Sequence, residues 1–135
     1  MVAAKPFEIT FPTRHTDTFA ATGYVHAGTL LALSELAYAA FEEHCGVSKP
    51  GHVVAVQLST EAHYRSPLRW EEGATIGVRT TKADASGFEQ AFTVSSASDG
   101  RIIATITHRW VWLDIETERR VPLPEDVQQR FMQRE

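Results

Sequence analysis

With 135 residues, 43% of them hydrophobic and 22% charged, the chain has the size and balance of one globular domain with a real core. A formal net charge of −4 with no basic run argues against nucleic acid and anionic membranes as main partners. One cysteine, Cys45, excludes an intramolecular disulfide and a cysteine metal cluster, and fits a reducing, cytoplasmic setting. Met1 to Phe7 holds no signal-peptide run, and no stretch approaches the roughly 18 apolar residues of a membrane span, so a secreted or membrane-anchored protein is not expected.

Lys5 to Thr13 reads as a first strand, with Phe7, Ile9 and Phe11 alternating with Glu8 and Thr10. Pro12 marks its end or a sheet edge. The polar loop Arg14 to Thr18 and the breaker Gly23 then lead into a helix that should begin near His26 to Gly28. Leu30, Leu33, Ala37 and Phe41 fall at helical spacing, and Gly46 supplies the C-terminal glycine. His52 to Tyr64 alternates like a long strand, and Ser66-Pro67 interrupts it. After a turn at Glu71 to Gly73, Ala74 to Ala83 is a strand, Asp84 to Gly87 a hairpin loop, and Phe88 to Ser96 its return. Asp99-Gly100 is a strong hairpin signal before the longest strand, Arg101 to Leu113. Asp114 to Arg120 reads as a turn. Pro122 and Pro124 punctuate, and Pro124 to Gln133 suits a short terminal helix.

The order is therefore strand, helix, then four strands, in a single domain over residues 1–135. Short turns pair neighbouring strands antiparallel. The fold class is α+β: an antiparallel sheet covering one long helix. Trp110, Trp112 and Phe92 are candidates for a second sheet face or a subunit contact. One helix cannot cover both faces of such a sheet, so a homodimer or homotetramer is expected.

Glu35 is the one ionisable acid between Ala27 and Phe41. Gly28, Glu35 and Glu42 recur every seven residues, so they share a face, and that face is either plainly wet or deliberately charged. The functional reading is a partly desolvated carboxylate acting as general base or nucleophile. The helix start, Tyr24 to Gly28, offers free backbone N–H groups and the positive end of the helix dipole, which can hold an oxyanion. Ala27 and Glu35 lie eight residues, about 12 Å, apart along the helix axis. They cannot both reach one carbonyl within a chain, so either substrate threads between them or a second subunit supplies Glu35. His26 can position a carbonyl or a water, or be an ordinary loop histidine. Asp17 can cap a turn. Arg65 and Arg69 flank Ser66-Pro67 and can meet a phosphate or simply be solvated. The remaining histidines lack metal spacing, and no phosphate-loop, dinucleotide or nucleophile-elbow motif is present.

At Gly23 to Glu35 the sequence resembles the hotdog-fold acyl-CoA thioesterases. In the phenylacetate-pathway branch the pattern is Gly-x-x-His-Gly-Gly, with an acid twelve residues after the first glycine. Gly23, His26, Gly28 and Glu35 match it, and Ala27 replaces the middle glycine. In the hydroxybenzoyl-CoA and tol-pal-cluster branch the pattern is Thr-Asp-x-x-Gly. Thr16-Asp17 matches, but Gly23 lies three residues too late. Tyr64-Arg65-Ser66-Pro67, Gly73, and the strand end Trp110 to Asp114 before Pro122 and Pro124 also look like this second branch.

The resemblance implies a sheet wrapped around the central helix, dimers that share active sites, and hydrolysis of an acyl-CoA or acyl-carrier-protein thioester. It implies the Ala27 N–H as oxyanion donor, with Glu35 as catalytic carboxylate by the first branch and Asp17 by the second. Tyr24, His26 and Gly28 fall to substrate positioning, and Arg65, Ser66 and Pro67 to coenzyme A. No metal and no cofactor is expected beyond coenzyme A as part of the substrate. The alternatives are a non-catalytic acyl-CoA sensor and a hotdog enoyl-CoA hydratase, for which His15 with Asp17 is the one candidate pair.

Overall fold

A computed structural model describes residues 6–19 and 22–133. Lys5, where the first strand is expected to start, lies outside them, as do residues 20 and 21 of the loop before Gly23.

Strand β1 (Phe7–Phe11) half-buries its three apolar residues and stops before Pro12. Helix α1 (Ala27–His44) starts after His26 and is closed by the glycine that the sequence marks. Gly46 has φ of 69°, its N–H reaches the Glu43 carbonyl at 3.0 Å, and the Val47 N–H reaches that of Glu42 at 3.2 Å. Such paired bonds satisfy the orphan carbonyls of a helix end, and the left-handed residue they require favours glycine. Strands β2 (Val53–Tyr64), β3 (Ala74–Asp84), β4 (Gly87–Ser96) and β5 (Ile102–Asp114) follow close to their expected bounds.

A three-residue strand, β6 (Arg119–Val121), stands where the sequence reads as turn, and the terminal helix α2 spans Glu125–Met132. β6 is too short and too basic, Arg119-Arg120-Val121, for alternation to reveal it. It pairs with Trp112 to Asp114 of β5, beyond the point where β4 pairing ends at Trp110.

The sheet order is β1-β3-β4-β5-β2, every pairing antiparallel. β2 does not pair with β3, its neighbour in sequence. It lies along β5 at the far edge, with a register shift between Gln57 and Ser59.

One sheet face carries Ile76, Val78, Phe92, Val94, Ile106 and Trp110, and α1 lies across it through Leu30, Ser34, Ala37, Tyr38 and Phe41. α2 closes the end, its Phe131 ring 4.8 Å from Phe88 and 5.9 Å from Phe41. Trp110, Trp112 and Phe92 are buried in this core, Trp110 stacking on Tyr38 at 4.5 Å, so they serve neither a second sheet face nor a subunit contact. The opposite face presents Arg79, Thr93, Thr105, Thr107 and Arg109, a polar set that does not require covering. The exposed apolar surface lies elsewhere: Leu36 on the outer side of α1 is 55% exposed, and Leu58 and Tyr64 on β2 are exposed too.

Candidate active site

The chain entering α1 is strapped to the segment that follows β2. The Val25 N–H donates to the Leu68 carbonyl at 2.8 Å, and the Trp70 N–H donates to that of Gly23 at 3.2 Å. Tyr24 bridges Arg69, whose guanidinium sits 5.2 Å from the Tyr24 ring centre. This strap opens a cleft of about 390 Å³ against the first turn of α1. His26, Ala27 and Leu30 wall it on the helix side and Tyr64, Arg65, Ser66 and Pro67 on the other, with Phe19 also in its lining. The structure thus brings together five residues singled out in the sequence: His26, Ala27, Arg65, Ser66 and Pro67. Tyr24, Gly28, Asp17 and Glu35 do not line this cleft.

At its helix wall, the Ala27 and Gly28 N–H groups have no acceptor among the described residues, whereas Thr29 and Leu30 donate to the His26 carbonyl. Two unsatisfied donors and the positive helix end therefore stand beside the cleft. His26 caps the helix: its Nδ1 accepts from the Thr29 N–H at 3.3 Å, and its Nε2 lies 3.3 Å from the Thr29 hydroxyl. The imidazole folds over Gly28, where an added Cβ would stand 2.9 Å from His26 Cε1.

Asp17 ends a single 3-10 turn, His15–Asp17. Its carboxylate accepts from the Arg14 N–H at 2.8 Å, which is turn capping. Its carbonyl is what reaches the helix, accepting from the His26 N–H at 3.1 Å and the Thr29 hydroxyl at 3.3 Å. His15 does not join it: that ring packs edge-on against Trp70 at 5.7 Å.

Glu35 is exposed and makes no hydrogen bond or ion pair among the described residues. The partial desolvation expected from sequence is not supplied by a single chain, in which Glu35, Ala32 and Ala39 are all exposed. Arg65 is exposed as well. The corner it sits in is fixed through backbone and Ser66: the Arg65 N–H donates to the Ile103 carbonyl at 2.8 Å, and the Ser66 hydroxyl to that of Ile102 at 2.8 Å. Arg101 locks the corner, donating to the Ser66 hydroxyl, the Pro67 carbonyl and Glu72. Hydrogen bonds from Arg101, Ser96 and the Arg69 N–H hold the Glu72 carboxyl down to about 2.

Sequence reading misses one arrangement. His108 of β5 is buried between α1 and β2, its Nε2 2.8 Å from the Ser34 hydroxyl and its Nδ1 2.8 Å from the Thr60 hydroxyl. Burial pushes His108 down to about 4. Two signals were available: a histidine at a core position of an alternating strand, between Ile106 and Trp110, and a serine inside an apolar helix. Among the described residues, no three His, Cys, Asp or Glu side chains converge as a metal site needs.

Residues 12–131 match the family model of the thioesterase-like superfamily. Among curated proteins, none matches the chain. Solved structures share its fold. A thioesterase of Thermus thermophilus, complexed with coenzyme A and zinc, is 26% identical with a TM-score of 0.76, over 92% of this chain and 90% of that one. The 1,4-dihydroxy-2-naphthoyl-CoA thioesterase of Synechocystis is 18% identical with a TM-score of 0.80, over 94% and 96%. A hypothetical protein of Staphylococcus aureus in complex with CoA is 16% identical with a TM-score of 0.81, over 96% and 84%.

Proposed function

Because the chain belongs to the thioesterase-like superfamily, we propose that it hydrolyses an acyl-CoA, or acyl-carrier-protein, thioester to the free acid and thiol. The observation that carries this reading is the pair of N–H groups, Ala27 and Gly28, that have no acceptor among the described residues, beside the cleft at the start of α1. A thioester carbonyl seated there is polarised by two donors and the helix dipole. Water attacks the carbonyl carbon while Glu35 takes its proton. The tetrahedral oxyanion rests on the N–H groups, then collapses and expels the thiolate, which needs little acid help. Neither a metal nor a redox cofactor enters these steps. His26 and Gly28 shape the donor turn, Tyr24 fixes its approach through Arg69, and Arg65 with the Ser66-Pro67 corner faces the coenzyme A portion.

The carboxylate comes from a second copy of the chain. Ala27 and Glu35 are about 12 Å apart along α1, and Glu35 is exposed in one chain. The twelve-residue β2 is a free sheet edge, and its Leu58 is exposed. Open edges of that length are normally covered. We therefore read the working form as a homodimer, or a homotetramer of two such dimers, and as cytoplasmic, in keeping with the lone cysteine. Among the described residues, no helix is long and apolar enough to cross a membrane.

The test is thiol release from a panel of acyl-CoAs by wild type, Glu35→Gln and Asp17→Asn. Loss of turnover in Glu35→Gln with most of it kept in Asp17→Asn supports the helix carboxylate. The reverse moves the chemistry to the loop after β1. Binding of an acyl-CoA without thiol release by wild type replaces the enzyme with a sensor.

A further inference from the structure

The hydrogen-bond directions around His108 are fixed by counting protons. The Ser34 hydroxyl has one proton, and it goes to the Leu31 carbonyl at 2.6 Å. The Ser34 oxygen therefore accepts from His108, which must carry its proton on Nε2. Nδ1 is then a bare acceptor, so the Thr60 hydroxyl is the donor in that 2.8 Å contact. Ser34 and His108 are 0% and 1% exposed, so no water intervenes to reverse this order. Thr60, by contrast, is exposed on the free edge strand. With its one proton committed inward, it turns only lone pairs outward. Burial favours neutral His108, which keeps the order in place.

Thr60 also lies level with Glu35. The cleft joins the Ala27 end of α1 to Tyr64 at the end of β2. From there Glu35 is eight helical residues on, about 12 Å. Thr60 is four strand residues back on the same face, about 13 Å. The Ser34–His108–Thr60 chain ties the two elements at that level, and Glu35 adjoins Ser34.

We propose that Thr60, held with its lone pairs outward by the buried Ser34–His108 pair, is the second acceptor for the water that Glu35 activates. This rests on the thioester-hydrolysis reading. A water has two protons. Given one each to Glu35 and Thr60, it points a lone pair at the carbonyl polarised by the other subunit's Ala27 N–H. When it attacks, one proton passes to Glu35 while the other stays on the new acid, still bonded to Thr60. Thr60 touches the reacting water. His108 and Ser34 are positioning residues that act through it.

The experiment is steady-state thiol release from an acyl-CoA by wild type, Thr60→Val, Thr60→Ser, Glu35→Gln and the Glu35→Gln/Thr60→Val double variant. Thr60→Val keeps the shape and removes the acceptor. We expect kcat to fall about ten- to a hundred-fold, the scale of a misplaced reactant, with KM within about three-fold. Thr60→Ser should restore kcat to within about three-fold. The double variant should be little worse than Glu35→Gln alone, since both hold one water. Wild-type kcat in Thr60→Val, or multiplicative losses in the double variant, overturns the assignment while leaving hydrolysis standing. If Thr60→Val fails to fold, Thr60→Ala gives the same readout. No thiol release by wild type overturns both the reaction and this role.

Discussion

Two carboxylates sit seven residues apart on the same side of α1 and have opposite surroundings. Glu42 is held on both oxygens, by the Tyr38 hydroxyl on one and by the Lys49 ammonium at 2.6 and 2.7 Å across the pair. Burial, and then the Glu42 charge, pushes the Tyr38 phenol far above its usual range, so it stays a donor. Glu35 has no such partner among the described residues. The second half of the helix has committed its polar groups to its own fold. The first half leaves a carboxylate and two N–H donors open, an arrangement that adds nothing to the stability of one chain. Glu→Gln at the two positions should therefore separate function from stability. We expect Glu35→Gln to cut thiol release at least a hundred-fold and leave the thermal midpoint almost unchanged. Glu42→Gln should keep most turnover and lower unfolding free energy by about 1–3 kcal/mol, because Lys49 loses its half-buried counter-charge. Paired melts and thiol assays of the two variants decide this, and a stability loss at Glu35 would erase the contrast.

The open donors can be removed one at a time without disturbing the helix. Proline suits the first helical position, having no N–H to lose from the helix ladder. His26, at φ −82° and ψ 160°, already has the extended geometry that a residue before proline needs. Ala27→Pro should therefore fold normally while deleting one donor to the oxyanion. The expected loss in kcat is about a hundred- to a thousand-fold, with little change in far-UV circular dichroism. Retention of kcat would assign the oxyanion to other donors.

Much of this was legible in the sequence where a single residue punctuates the chain. Gly46 closes α1, Asp99-Gly100 and Asp84 to Gly87 join the strands, and the bounds of five elements follow. What alternation does not encode is the partner. Nothing in Val53 to Tyr64 says that β2 crosses to β5, and the shift after Gln57 puts Thr60, rather than Ser59, opposite His108. The tryptophans show the same limit: a period of two gives two faces but not which one is covered. The cleft was half legible, because its helix wall is local and its other wall is supplied by residues some forty positions away. Hydrogen-bond order, and therefore the state of Thr60, exists only once three elements meet.

The two histidines nearest the proposed chemistry sharpen the same contrast through pH. His26 caps a half-exposed turn, whereas His108 is dry. With His108 pushed down to about 4 from an ordinary value near 6.5, the unfolded chain takes up a proton before the folded one does. Its contribution to stability is complete above about pH 6.5 and is lost as pH falls toward 4. Denaturant melts between those limits should show stability falling with pH in wild type, and falling less steeply in His108→Gln. An unchanged slope would mean that His108 takes up its proton as readily in the fold as in the unfolded chain, so that burial does not hold it neutral.

The smallest expected effect is at Gly28. Alanine at a helical position gains up to about 1 kcal/mol over glycine. Here its Cβ would stand 2.9 Å from the His26 ring. That ring is the movable end of a side chain, so it can swing away, giving up its bond to the Thr29 N–H. Losing a cap costs about 1 kcal/mol, so the two effects nearly cancel, and Gly28→Ala should melt within a degree or two of wild type. The displaced imidazole has the cleft as one place to go, since His26 already lines it. KM should then rise a few-fold while kcat changes less, because the N–H donors remain. A fall in kcat with KM unchanged would instead tie the His26 ring to the reacting carbonyl itself.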